Sequence, residues 1–190
     1  NAWHSTSSTA LVLLLPLSAA QATNLTLPAT ETYTLENGAT VILAQKNDLP
    51  LIAARVAIRG GSLVDSKGKE GTSSLLSALL TKGAGHRNAT QFTDDIANAG
   101  GELSINSGLE SLWASADFLS EDASLMLELL ADALQRPSLD AEEFVKIQTR
   151  AVQSLTAEKD GDPRGLVTSY GEAWLFQNHP YGRPSGGDEN

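Results

Sequence analysis

Cysteine is missing from all 190 residues. Disulfides, thiolate-held metals and a cysteine nucleophile are thereby excluded. Basic charge is short as well: 13 Lys and Arg stand against 23 Asp and Glu, for a net charge of −10. Nucleic acids and anionic membranes both call for a basic surface, so neither is an expected partner. Histidine occurs only as His4, His86 and His179, and no two stand at the i, i+4 spacing from which a helical face grips a metal. There is no Gly-x-Ser-x-Gly elbow, phosphate loop or dinucleotide fingerprint. Ser74 and Ser77 have no base nearby in sequence. No apolar run is long enough to span a bilayer.

What remains is an ordinary globular composition, 41% hydrophobic and 19% charged. The apolar run from Ala10 to Leu17, followed by Ala20-Gln21-Ala22, reads as a secretory signal cleaved after Ala22. Its basic leader residues are missing and the chain opens on Asn1, so residues 1–22 are expected to be a signal with a truncated start. Export to a bacterial periplasm follows as the expected location, with no cysteine for a lipid anchor. Residues 23–32 are a polar leader. Residues 33–190 form one αβ domain, expected to be incomplete at its C-terminus.

Turn chemistry and periodicity divide that domain into elements. Asn37-Gly38 between apolar runs predicts a hairpin of Tyr33–Leu35 with Ala39–Ala44. Leu51–Arg59 alternates as a third strand, with Ile52, Ala54, Val56 and Ile58 on one face. A short helix runs from Asn88 or Thr90 to Ala99, and Gly100-Gly101 leads into strands Glu102–Ser107 and Ser111–Phe118. Ser120 is placed to cap a helix with Leu125, Met126, Leu129, Leu130 and Leu134 as its buried stripe, stopped by Pro137. Asp140 and Glu143 form a capping box for a long helix to about Lys159, with Phe144, Ile147, Ala151, Val152 and Leu155 turned inward. Arg164–Phe176 is a further helix. The carboxylate pairs Asp94-Asp95, Glu121-Asp122 and Glu142-Glu143 all sit at helix starts, where the helix dipole accounts for them.

The chain is organised around Glu70–Gly83. Thr72 or Ser73 can cap a helix there, and Lys82 with Gly83 suits its end. Leu75, Leu76, Leu79 and Leu80 make an apolar stripe, leaving Ser74, Ser77 and Ala78 on the other face.

Ile58-Arg59-Gly60-Gly61-Ser62, followed by Gly71-Thr72-Ser73-Ser74-Leu75-Leu76-Ser77-Ala78-Leu79-Leu80-Thr81-Lys82-Gly83, resembles the insulinase/pitrilysin zinc peptidases, the inverted zincins. The framework of that family's Gly-x-x-His-x-x-Glu-His segment fits without a gap. Leu35-Glu36-Asn37-Gly38-Ala39-Thr40-Val41-Ile42 resembles the family's opening, and His179-Pro180-Tyr181-Gly182-Arg183-Pro184 resembles its most specific later stretch. The resemblance runs from Tyr33 to Gly187.

It also implies where the chemistry would sit. Ser74 and Ala78 occupy the positions of the two zinc-binding histidines, and Ser77 that of the glutamate that activates the zinc-bound water. The third ligand, a later glutamate, falls on Ser154, Leu155 or Thr156, depending on the anchor used for counting. A serine hydroxyl is a poor zinc ligand and alanine is none, so no catalytic or metal residue is expected in this chain. The same resemblance implies that the strand with Ser104, Ile105 and Asn106 borders the cleft and binds substrate peptide by strand addition; the alternative is an ordinary strand of the sheet. The implied fold is α+β, an insulinase-like two-layer domain with an antiparallel-rich sheet and helices on one face.

The function this implies is a non-catalytic subunit that binds peptide and completes the chamber of a motif-bearing partner, which supplies the zinc. Two alternatives stand beside it: a zinc endopeptidase whose active centre lies in a missing C-terminal part, and a structural assembly protein that uses neither cleft nor partner.

Overall fold

The structure is a computed structural model and describes residues 28–161 and 166–189. The expected signal and most of the leader lie outside the described residues, as do residues 162–165 at the expected start of the last helix. The chain divides into two compact units, 1–47 and 48–190.

In the first unit, strands β1 (Thr30–Thr34) and β2 (Thr40–Ala44) pair antiparallel, with Thr34 opposite Thr40. The turn closes through Leu35 N–H to the Ala39 carbonyl at 2.8 Å, and Asn37 Oδ1 accepts from Ala39 N–H at 3.0 Å. The Asn-Gly hairpin is therefore present, with its first strand starting earlier than the sequence pattern predicts.

The second unit is built on a three-stranded antiparallel sheet in which β7 (Ser111–Leu119) lies between β3 (Leu51–Arg59) and β6 (Glu102–Ser107). Register puts Ile52, Ala54 and Val56 across from Phe118, Ala116 and Ala114, and Ile105 across from Ala114 as well. Alternation then aims one face of all three strands inward. Against that face pack α1 (Thr72–Leu79), α2 (Ala89–Asn98) and α3 (Ala123–Gln135), which bring Leu80, Phe92, Met126, Leu129, Leu130 and Ala133 into one core with Ala114, Ala116 and Phe118. Burying a side chain such as Phe92 or Leu129 contributes about 1.5–3 kcal/mol each. This is the α+β arrangement expected. The other sheet face carries Arg55, Trp113 and Asp117, and it is open among the described residues.

Two small strands, β4 (Gly83–Ala84) and β5 (Arg87–Asn88), form a hairpin where sequence reading leaves a loop. Asn88 then caps α2 through a full capping box with Gln91. Helix α4 (Ala141–Asp160) starts on the Asp140 side chain, which accepts from Glu142 N–H at 2.9 Å and Glu143 N–H at 3.0 Å. It packs along α1. Its half-buried stripe is Ile147, Ala151, Val152 and Leu155, while Phe144 is exposed. Helix α5 spans Val167–Phe176, with Trp174 largely exposed.

Three expectations need correction here. Ser120 opens a short 3-10 turn, not α3, and no side chain caps α3. Helix α1 ends at Leu79, one turn short of Lys82. Its stripe is also rotated: Leu76 is exposed, whereas Ser73 and Ser77 are buried beside Leu79 and Leu80. The rotation follows from α1 being packed on two sides, by β6 and by α4, so that its buried sector is set by both neighbours.

Candidate functional site

Helix α1 begins without a cap of its own. Gly71 holds the N-cap position at φ +87°, and neither Thr72 nor Ser73 caps the backbone. Asp65, buried at the end of the turn after β3, does that work from six residues upstream. Its carboxylate accepts from Gly71 N–H at 3.1 Å, from Ser73 N–H at 3.1 Å and from the Ser73 hydroxyl at 2.5 Å. A buried anion at a helix N-terminus satisfies orphan donors and complements the dipole together. No spacing rule in the sequence singles Asp65 out.

The stretch His179–Glu189 straps this end of the molecule. Arg183 Nη1 donates to the Asp65 carbonyl at 3.2 Å, and the Tyr181 hydroxyl donates to Glu110 in the β6–β7 turn. That hydrogen bond raises the Tyr181 pKa, because the carboxylate favours the protonated phenol. Phe176 meets the Tyr181 ring edge-on at 5.5 Å. Gly71 and Gly187 touch backbone to backbone. A Cβ on Gly71 would lie 2.7 Å from the Gly186 carbonyl oxygen, and one on Gly187 would lie 2.5 Å from that of Glu70. Glycine is required at both for close approach as well as for positive φ.

On α1 itself Ser74 is exposed, Ala78 is half-buried, and Ser77 is buried with its hydroxyl donating to the Ser74 carbonyl at 2.8 Å. Ser77 is thus used within the helix. Across from α1, on α4, Leu155 is half-buried and Ser154 and Thr156 are exposed, the Thr156 hydroxyl donating to the Val152 carbonyl at 3.0 Å. Zinc needs imidazole, thiolate or carboxylate donors. Hydroxyls, a methyl group and an isobutyl group do not fit it, so no metal-assisted step is derived for this face.

The described residues do bring one possible ligand group together, around the exposed His86. Ligating atoms of His86, Glu128 and Asp132 all lie within 4.8 Å of one another. Both carboxylates are already committed. Arg87, buried in β5, donates to Asp95 at 2.6 Å, to Glu128 at 3.0 Å and to Asp132 at 3.5 Å; Arg136 also donates to Asp132. The hydrogen bond that Arg87 donates to Asp95 is the largest cause holding the Arg87 pKa up. Two guanidinium charges at these oxygens oppose a cation, and the network serves instead to bury Asp132 in paired form.

The expected substrate strand is β6, and register shows what it offers. Gly60 N–H donates to the Glu110 carbonyl and Ser120 N–H to that of Pro50, both at 2.9 Å, so even-numbered residues of β7 bond toward β3. Gly108 N–H donates to the Ser111 carbonyl at 2.8 Å, so odd-numbered residues of β7 bond toward β6. In an antiparallel ladder the groups alternate. Glu102, Ser104 and Asn106 therefore use their backbone on β7, whereas Leu103, Ile105 and Ser107 turn theirs to the other edge. Among the described residues nothing pairs with that edge. Of the three residues named from sequence, Ile105 supplies edge backbone with its side chain in the core. Ser104 and Asn106 supply side chains on the open face. Glu102, exposed at the start of β6, shares that face.

The sheet, the helix with its missing ligands, and the strap together describe an inverted-zincin-like domain. Residues 40–189 match the family model for insulinase, peptidase family M16, and the chain belongs to that family. It is 27% identical over 150 residues to an uncharacterized zinc protease of Rickettsia felis, covering 79% of this chain and 36% of that protein. It is 29% identical over 153 residues to bovine mitochondrial cytochrome b-c1 complex subunit 1, covering 80% of this chain and 32% of that one. The crystal structure of a peptidase M16 inactive domain from Pseudomonas fluorescens superposes with a TM-score of 0.79 at 22% identity, covering 84% of this chain and 39% of that one. The chain thus spans about a third of the length of these relatives.

Proposed function

We propose that this chain is a non-catalytic member of the insulinase family that binds extended peptide at the β6 edge and completes the chamber of a motif-bearing partner. The observation that carries the reading is α1: an intact framework in which Ser74, Ser77 and Ala78 replace every metal-binding and water-activating group of the helix. With no Lewis acid or base at this face, the contribution left to it is binding. Strand addition is a binding mode that needs only edge backbone, and Leu103, Ile105 and Ser107 offer it. The relative named as a subunit of the cytochrome b-c1 complex supports a role within an assembly. Zinc belongs to the partner in this reading, and the setting is the periplasm, reached by the signal at residues 1–22.

The similarity to proteins named zinc proteases, of which this chain spans about a third, favours a second reading in which the active centre lies in another part of a longer protein. Native mass spectrometry of the full-length protein from its own cells separates the two. A heterodimer with one zinc that stays with the partner on dissociation is the expected result. A lone or self-paired chain holding its own zinc would overturn the proposal.

A further inference from the structure

We infer that the β6 edge selects extended peptides with a basic residue beside Glu102, an inference that rests on the edge-binding role proposed above. Glu102 opens β6, is exposed, and has no hydrogen-bond or ion-pair partner among the described residues. Its cross-strand neighbour on β7 is a second carboxylate, Asp117. Like charges directly opposite are unfavourable. Asp117 is relieved by Arg55, whose Nη2 donates to both of its oxygens at 2.9 and 2.7 Å. That guanidinium reaches Asp117 from β3, on the far side of β7, and its other hydrogen bonds go to the Ala54 and Ala116 carbonyls, so Glu102 has no basic partner at the free edge among the described residues.

The other open-face positions of β6 are neutral. Ser104 sits opposite Ser115, and Asn106 opposite the half-exposed Trp113. Charge recognition along the edge is therefore confined to one register position. An added strand places alternate side chains on the open face, and Asn106 lies about 13 Å along β6 from Glu102 at the usual rise per residue. A lysine or arginine beside Glu102 meets its carboxylate, with Asp117 one strand further in. The same side chain at Asn106 meets an amide and an indole.

The test uses the full-length protein and two fluorescent decapeptides of threonine, serine and valine that differ only in a central lysine or glutamate, read by anisotropy. The lysine peptide is expected to bind roughly two- to five-fold tighter than the glutamate peptide, the range for an exposed cross-strand charge pair. Glu102→Gln should abolish the difference and Glu102→Lys should invert it, with circular dichroism unchanged. A loss of folding would not produce inversion. Equal binding of both peptides by wild type, or a preference that survives Glu102→Lys, overturns the inference and leaves the edge reading intact. Binding of neither peptide overturns both.

Discussion

Replacing Asp65 with alanine should destabilise the domain by about 2–4 kcal/mol, more than a surface carboxylate would account for. Asp65 is 7% exposed, and its carboxylate accepts from two backbone N–H groups and one hydroxyl at the start of α1. Loss of a helix cap alone costs about 0.5–2 kcal/mol, and each hydrogen bond to a charged acceptor contributes about 1.5–3 kcal/mol. These terms overlap, since one carboxylate serves all three donors, which is why the total stays below their sum. Asparagine keeps one accepting oxygen but turns an NH2 toward a donor and gives up the charge at the helix dipole, so Asp65→Asn should cost about half as much. Urea unfolding followed by circular dichroism reads this directly. With a slope of about 2 kcal/mol per molar urea, the midpoint should fall by about 1–2 M for Asp65→Ala. A midpoint within about 0.3 M of wild type, by the same slope, would refute the assignment of Asp65 as the cap.

The strap supplies two further predictions. Gly187→Ala introduces a Cβ 2.5 Å from the Glu70 carbonyl oxygen at a φ of +81°; steric and backbone strain of about 2–3 kcal/mol should lower the melting temperature by about 5–10 °C. Tyr181 titrates above the ordinary tyrosine value because Glu110 accepts its proton's hydrogen bond. A group raised on folding contributes stability that is present below its unfolded pKa and is lost as pH rises through the folded one. The Tyr181 contribution should therefore hold to about pH 10 and fade above it. Absorbance titration at 295 nm checks the sign: Glu110→Gln should bring the alkaline transition down, and an unchanged or higher midpoint would contradict the contact.

Much of this molecule is written in local pattern. Alternation bounded by Gly101 and Gly108 marks β6 at the residues it occupies, Asp140 announces the start of α4, and the i, i+3, i+4 spacing of Met126, Leu129 and Leu130 gives the face that α3 buries. The vacancy of the motif is likewise a matter of residue identity: serine and alanine at positions 74, 77 and 78 exclude zinc chemistry at α1 whatever the fold does. The readings of β6, α3 and α4 succeed because each depends on neighbours within a turn or two of the chain.

Tertiary structure decided whatever depends on partners distant in sequence. Which serines of α1 are buried follows from its position between β6 and α4, so Leu76 lost its expected place while Ser77 gained one. The cap of α1 comes from Asp65 across a loop. Gly71 and Gly187 are glycines because two backbones meet there, and Arg87 is buried because Asp95, Glu128 and Asp132 converge on it. The free edge is the clearest case. Sequence places Ser104, Ile105 and Asn106 on a strand, but only the pairing of β7 on both sides selects Leu103, Ile105 and Ser107 as the residues whose backbone is free. Periodicity records which face of an element is apolar; what stands opposite that face is set by the packing of the whole chain.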